Sequence, residues 1–587
     1  MGVNSSAASA PTRVPPAVDG IQINFCKNPA CVNYGVAPSP TVQRGKAGGT
    51  PDAYVVSSSG AGVPVLECRS CHEFPPIKSN AGVAEERDRL LSSLAGRPPD
   101  CCPDLSCPNH AVPVIATAGH YQGFGVTRAG SRRYRCKVCG KTFAVGKSTT
   151  GHKQPHKNRT VFALLMNKSP FRRICEVADI DPKTLYGKIE FLHRQCLAFA
   201  AGRERRLLQG MPIRRLHMAT DRQDYLINWT RRDDRRNVAL QAVGTADNDT
   251  GYVFGLHLNY DPALDADIVE KAAVAAGDYQ LRPPFRRYAR CWLKADYAVR
   301  TRLPAAQSRP TKADLQRAIA TTYAEAGQRE DVEVSEAPDA SQRLPGQGVQ
   351  VHAEYTLYGH FFFLRRLFGG AEKLRFCLDQ DSGMRAACLT AFQPEITARR
   401  ADAFYVRIAK ELSVNQKRAE LASSRARFEA AKQAHPGLAE GELQLVLIKA
   451  AIAQMAALGK WQDRWLTHPL PDMSEPQKAV CYLTDYGDYD ADHVARLYQK
   501  ASLHAIDRFF MQLRRRLSVL ERPLSTASRS GRKWYGYSAY SPLTIVRMLD
   551  IFRVFYNYCA TGKDGKTPAM RLGLAKGVVA LEDIIYF

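Results

Sequence analysis

The chain has 587 residues, 45% of them hydrophobic, with 82 Lys and Arg against 57 Asp and Glu and a formal net charge of +25. That length exceeds what one core supports, so several domains are expected. With no run of about 18 apolar residues and no apolar leader, a membrane span and a secretory signal are not expected. The excess positive charge points to a polyanionic partner, because Lys and Arg gain affinity by displacing counterions from phosphate.

Residues 1–20 are Ala/Ser/Pro-rich and read as a disordered tail. A cysteine code follows, written twice: Cys26-x4-Cys31 with Cys68-x2-Cys71, then Cys102-x4-Cys107 with Cys136-x2-Cys139. Eight of the sixteen cysteines fall in these two copies. Four thiolates on two knuckles close a tetrahedral Zn²⁺ site of the structural kind. A cytoplasmic, reduced setting favours metal over disulfides. The neighbours repeat as well, Asn-Pro-Ala-Cys-Val-Asn-Tyr at 28–34 echoing Leu-Ser-Cys-Pro-Asn-His at 105–110. Zinc ribbons are therefore expected over 21–80 and 98–150, the first with a long Gly/Ser/Pro loop at 36–64. Phe143 is expected beside the second metal. Between Arg128 and Arg215 there are 21 Lys or Arg against 5 Asp or Glu, a net +16. Within 155–205, apolar patterning and Pro170 and Pro182 predict three helices, the last two being Phe171–Ala178 and Pro182–Leu197. Lys183, Lys188 and Arg194 on the last of them make a helix-turn-helix that contacts double-stranded DNA. The two ribbons and these helices together form the front of a DNA-targeting arm.

The period then changes. Arg215–Trp229, Asn237–Ala246 and Tyr252–Tyr260 read as strands, the last two joined by a hairpin turn at Asp247–Gly251. Helix Ala263–Ala276, an irregular insertion at 279–350, helix Tyr355–Phe368, strand Leu374–Leu378, helix Ser382–Phe392 and strand Ala403–Ile408 follow. Residues 412–495 read as a helical insertion, and 498–520 as one more helix. Three strands, then helix, strand, helix, strand, helix is the order of an RNase H-like fold, over 212–411 and 496–560, with 561–587 as a C-terminal tail. The fold class is thus multidomain: two N-terminal zinc ribbons, a helix-turn-helix, and an α/β RNase H-like catalytic domain with helical insertions. In such folds, acids at strand ends and on a late helix hold two divalent cations. Asp221 lies inside an apolar strand, where an acid is costly unless it binds something. Asp379 ends a second strand. Asp381 is the alternative second acid or a helix cap.

The segment 506–530, Ile-Asp-Arg-Phe-Phe-Met-Gln-Leu-Arg-Arg-Arg through Ser-Arg-Ser, resembles the catalytic-helix motif of transposases of the insertion-sequence-one type. That resemblance implies a DDE-type polynucleotidyl transferase. A zinc ribbon and helix-turn-helix bind the ends of a mobile element. An RNase H-like domain with Mg²⁺ or Mn²⁺ cuts and joins DNA. It implies Asp221, Asp379 and Asp507 as the acidic triad, with Asp507 standing where the family has glutamate. Glu521 is the alternative third acid. It lies 14 residues on, about 21 Å along a helix axis, so both cannot serve one metal pair. Arg514, Arg515, Arg516, Arg529, Lys533 and Trp534 are the expected DNA contacts beside the acids. The implied partners are element ends, target DNA and further copies of the chain assembled on DNA, with a nucleoid-associated cytoplasmic location and no membrane. The alternative is a domesticated, transposase-derived regulator that binds specific DNA without catalysis.

Overall fold

The computed structural model describes residues 12–40, 52–58, 64–96, 100–114, 119–127, 131–145, 149, 152–302, 315–328, 338–409, 412–458, 462–521, 524–525, 533–534 and 537–587. The chain divides into two compact units. One comprises Met1–Leu90, Leu207–Gln512 and Arg522–Leu543; the other comprises Leu91–Arg206, Leu513–Glu521 and Thr544–Phe587.

The first unit is built on a mixed sheet of eight strands. In chain order they are β1 (Ile213–Ile227), β2 (Val238–Asp247), β3 (Val253–Leu258), β4 (Ala371–Asp379), β5 (Ala401–Ile408), β6 (Ala456–Leu458), β7 (Asp463–Thr467) and β8 (Lys478–Tyr482). Their order across the sheet is β6-β7-β8-β5-β4-β1-β2-β3. β1, β2 and β3 form an antiparallel meander, β4 runs parallel to β1 and β5 parallel to β4, and β8 adds antiparallel to β5. The turn from β2 to β3 sits where the sequence predicts it. The Asp247 carboxylate accepts from the Thr250 amide and hydroxyl at 2.8 and 2.7 Å, and Gly251 takes φ +76°, the left-handed conformation that glycine adopts without a Cβ penalty. β4 and β5 are buried on both faces over 374–378 and 401–406, and the two charges inside that stretch, Arg375 and Asp402, pair with each other, as buried charges must.

The unit also holds the helices α1 (Ala353–Leu367), α2 (Ser382–Ala391), α3 (Val414–Ala434), α4 (Glu440–Ala453), α5 (Ala491–Lys500) and α6 (His504–Arg516), of which α1, α2, α5 and α6 pack on the sheet. Strand residues alternate between faces. One face carries Phe376, whose ring lies 6.0 Å from Phe361 of α1 and 4.5 Å from Phe392 just past α2. The other carries Phe404, stacked 4.5 Å from Tyr482 and 6.4 Å from Tyr498 of α5. On that second face a Cβ added to Gly244 would meet Ile506 at 2.9 Å and Phe510 at 3.2 Å. Gly244 therefore lets α6 lie close on β2.

Several expectations change here. The first cysteine module belongs to the sheet unit rather than to a separate arm with the second. The Tyr34 hydroxyl donates to the Leu389 carbonyl at 2.6 Å, Arg385 of α2 pairs with Glu73 at 3.2 Å, and the Tyr355 hydroxyl of α1 accepts from the Ser79 amide at 3.1 Å. Residues 12–20 are not a loose tail where described: Val14 is buried, and the Pro15 and Pro16 carbonyls accept from the Asn80 amide group. Residues 1–11 of the expected tail lie outside the described residues. The loop at 36–64 contains a strand, Tyr54–Ser58, paired with Pro64–Cys68. The region 279–350 includes helices Lys294–Arg302 and Leu315–Gln328. The insertion at 412–495 is not wholly helical, since β6, β7 and β8 widen the sheet. The helix expected over 498–520 is interrupted: α5 ends at Lys500, α6 starts at His504, and Glu521 lies beyond a short 3-10 turn, Ser518–Leu520.

The second unit holds a three-stranded antiparallel sheet, Tyr121–Val126, Arg132–Cys136 and Thr142–Val145, and helices Asn158–Leu165, Phe171–Ala178, Pro182–Leu208 and Pro542–Tyr558. Asp179 at φ +48° closes the second of these helices, and the Asp181 carboxylate accepts from the Thr184 amide at 2.9 Å at the start of the third, a capping contact that satisfies an orphan amide. The third helix runs on to Leu208, past the expected Leu197. Its continuing apolar stripe is buried: Phe199 meets Tyr558 at 5.0 Å, and Glu204 pairs with Arg553 at 2.6 Å. The expected tail at 561–587 is packed into this unit, with Ile584 and Ile585 fully buried and the Gln195 amide donating to the Ile585 carbonyl at 2.9 Å.

Candidate metal centres and acidic site

The two cysteine sets gather as their spacing predicts. In each, four Sγ atoms lie within 4.8 Å of one another, and among the described residues these are the two groups of three or more His, Cys, Asp or Glu so gathered. Sulfur pairs stand 3.4 and 3.7 Å apart in the first set and 3.3 and 3.8 Å in the second. A tetrahedron with Zn–S bonds of about 2.3 Å has edges of about 3.8 Å, so both sets can hold zinc. The sites are copies beyond their ligands. Asn33 donates its side-chain amide to Cys68 Sγ at 3.3 Å, and Asn109 does the same to Cys136 Sγ at 3.3 Å. The Tyr54 hydroxyl accepts from the Cys26 amide at 3.1 Å, and the Tyr121 hydroxyl from the Cys102 amide at 3.0 Å. Both hydroxyls then reach a carbonyl at 2.7 Å, Val36 in one copy and Val112 in the other. The cysteine code alone missed these supports; the shared Cys-x-Asn at 31–33 and 107–109 is the signal that finds the asparagines. Phe143 packs on the second set, as expected, its ring 5.6 Å from Tyr121.

Two of the acids lie on neighbouring interior strands of the sheet, Asp221 on β1 and Asp379 at the end of β4. Leu378 pairs with Thr220 in the parallel ladder of β4 and β1, and Asp379 and Asp221 are the next residue on each strand. Parallel neighbours in register share a face, so both carboxylates leave the sheet on one side. Asp221 pairs across β2 with Gly244, the residue on which Ile506 and Phe510 rest. That side is therefore the α6 side. Asp507 follows Ile506 and stands one turn before Phe510, on the helix flank that meets β2. The start of α6 is pinned nearby: Asn248, in the β2–β3 turn, donates to the Ser502 carbonyl at 2.8 Å and accepts from the Ala505 amide at 3.2 Å. Asp221 is buried, while Asp379 and Asp507 are half-buried. The three do not form a single-ion cage, since no set containing them has its ligand atoms within 4.8 Å. A two-metal centre spreads its carboxylates over ions about 3.5–4 Å apart and needs no such cage.

The other candidates separate from this group. Asp381 caps α2, accepting from the Met384 amide at 2.7 Å, and pairs with Arg222. Burial lowers the Arg222 pKa, but Asp381, then Asp224, Asp379 and Asp221, outweigh it, so the guanidinium sits above its ordinary value. It is a fixed cation among acids that sequence reasoning overlooked. Glu521 belongs to the second unit and pairs with Lys168 at 3.1 Å.

Of the expected DNA contacts in the second unit, Lys183 and Arg194 are exposed on one face of Pro182–Leu208. Lys188 is not. It is fully buried, and its ammonium donates to the Lys153 and Gln154 carbonyls at 2.9 Å and to Asn158 Oδ1 at 2.7 Å. Burial, with Lys157 adding, brings its pKa down to about 8. It fastens the segment before Asn158–Leu165 instead of facing a partner. Lys188→Met is expected to destabilise this unit by about 1–3 kcal/mol through stranded acceptors. Lys183→Ala should stay within about 0.5 kcal/mol of the parent; thermal unfolding compares them. Arg515 is exposed and Arg514 half-buried. Arg516 is half-buried, donates to the Met166 carbonyl at 3.4 Å and lies 5.5 Å from the Phe555 ring, so part of its side chain is engaged in packing. Lys533 and Trp534 lie on a short strand paired with Leu524–Ser525. Arg529 lies outside the described residues. Among the described residues, no helix is long and apolar enough to cross a membrane. No family model matches the chain, and no curated protein is significantly similar to it.

Proposed function

We propose that the protein is a DDE-type DNA transposase that binds element ends and catalyses metal-dependent strand cleavage and strand transfer. The observation that carries this reading is the register of β1 and β4, which sets Asp221 beside Asp379 on the face that α6 covers with Asp507. The central strand order β3-β2-β1-β4-β5, with an antiparallel meander and two parallel strands, supports an RNase H-like domain. The three carboxylates supply the hard oxygen donors that suit Mg²⁺ or Mn²⁺. When bound, two such ions activate the attacking oxygen and stabilise the leaving one. Arg222 limits repulsion among the acids and holds Asp381 on the cap of α2. The two cysteine sets would hold structural Zn²⁺, and the exposed Lys183 and Arg194 face of the helix-turn-helix would meet duplex phosphates.

The test is nicking of supercoiled plasmid that carries the DNA flanking the gene, with Mg²⁺ or Mn²⁺ added. Cuts at the element ends are expected. Tight, specific binding of that DNA without cuts supports the second reading, a transposase-derived regulator, which the aspartate at position 507 favours. The third acid is decided in the same assay. Asp507→Ala is expected to abolish cleavage. Glu521→Gln, which only loosens a partly exposed pair with Lys168, should leave it within about threefold, since such pairs contribute about 0–1 kcal/mol.

A further inference from the structure

The loop between β1 and β2 carries four arginines in eight residues, Trp229-Thr-Arg-Arg-Asp-Asp-Arg-Arg236. Its base is fixed on both sides. The Asn228 amide donates to the Ala539 carbonyl at 3.0 Å, and the Asn237 amide to the Ser341 carbonyl at 3.1 Å. Arg343 braces it from within, donating to the Arg236 carbonyl at 3.2 Å and the Thr230 hydroxyl at 3.1 Å. Asp234 pairs with Arg236 at 2.9 Å, so one of the two acids is spent on a guanidinium of the loop itself. The other three arginines, Arg231, Arg232 and Arg235, line an open cavity of about 600 Å³ together with Trp229, Thr230 and Tyr540. No acid lines it. Tyr540 is 48% exposed, so much of its side chain is open to solvent at the cavity.

We propose that this cavity binds unpaired nucleotides of a DNA strand, Trp229 and Tyr540 offering ring faces to bases while Arg231, Arg232 and Arg235 hold the adjoining phosphates. The chemistry separates unpaired DNA from duplex. Duplex DNA keeps its base faces stacked inside the helix, so aromatic walls add nothing to it. A single strand presents those faces, and stacking on them is tolerant of sequence. The cavity lies past the end of β1, six residues beyond Asp221 plus the start of the loop. At about 3.4 Å per strand residue, the end of β1 is about 20 Å from Asp221 along the strand. The groove therefore holds DNA away from the reacting phosphate and not the phosphate itself.

This inference rests on the reading that the protein handles DNA, but not on catalysis. The experiment is fluorescence anisotropy with the full chain, a labelled oligo-dT and a labelled duplex of equal length, over a salt series and without added Mg²⁺. Tyr540→Ala and Trp229→Ala are each expected to weaken oligo-dT binding about tenfold and to leave duplex binding within twofold, with Trp229→Phe restoring most of the loss. Arg232→Ala is expected to lower the salt slope for oligo-dT by about 0.7, the value for one phosphate contact on a single strand. Equal losses for oligo-dT and duplex, or no loss in either aromatic variant, would overturn the proposal. Oligo-dT binding that responds as expected in a protein that never nicks plasmid would keep the groove and remove the transposase reading.

Discussion

Replacing Asp221 or Asp379 with Ala is expected to lower metal-dependent strand cleavage by at least about 10³-fold while leaving DNA affinity unchanged. A factor of that size is about 4 kcal/mol of transition-state stabilisation, in the range lost when a charge-stabilising group is removed from a preorganised site. The two residues stand side by side in the β1–β4 ladder, so each single change should cost nearly as much as both together. Stability gives a second readout that separates catalysis from structure. Asp221 is 5% exposed, and a buried carboxylate held for function is a burden on the fold. Asp221→Asn is therefore expected to melt at the parent temperature or above it, whereas a carboxylate that served the fold would melt lower when changed. Single-turnover cleavage, anisotropy and thermal unfolding on the same preparations make the comparison. Cleavage within tenfold of the parent in both Ala variants ends the assignment.

Loss of zinc is expected to act on different parts of the molecule at the two sites. Structural zinc contributes an apparent 10–16 kcal/mol or so in small zinc modules, as much as the whole stability of an ordinary domain. Cys68→Ser with Cys71→Ser should lower the zinc content from two to one and expose α1 and α2 to amide hydrogen exchange, because Glu73 and Tyr34 tie that module to Arg385 and Leu389. Cys136→Ser with Cys139→Ser should also remove one zinc, yet leave α1 and α2 protected. Metal analysis and exchange mapped by mass spectrometry check both. Unchanged protection of 382–391 after loss of the first zinc would mean that the module is only an appendage of the sheet.

Much of this was legible before any coordinates. The cysteine spacing, the hairpin at Asp247–Gly251 and the five central strands, two of which carry Asp221 and Asp379, follow from local patterns, because each depends on neighbours in sequence. What escaped depends on neighbours in space. Lys188 looks like any basic residue on a helix until the Lys153 and Gln154 carbonyls close over it. Arg222 looks exposed until the α2 cap meets it. The strands β6, β7 and β8 are too short, and too close to an Ala- and Glu-rich run, to break the helical period by themselves. The likeness of the two cysteine modules hid a difference that only packing reveals: one is built into the sheet unit, and the other belongs to the second unit with the helices Asn158–Leu165, Phe171–Ala178 and Pro182–Leu208.

The chain passes between its two units five times, at Leu90, Arg206, Gln512, Glu521 and Leu543. On the ribosome this imposes an order of completion. The helix Pro182–Leu208 is made early, but Glu204 and Gln195 find Arg553 and Ile585 only after more than three hundred further residues have been translated. The sheet likewise waits for α6. Fragments cut at any one of these crossings would leave apolar surfaces bare on both products. A protein threaded in this way completes its second unit and the α6 side of its sheet at nearly the same moment, so a nascent chain carries neither in finished form.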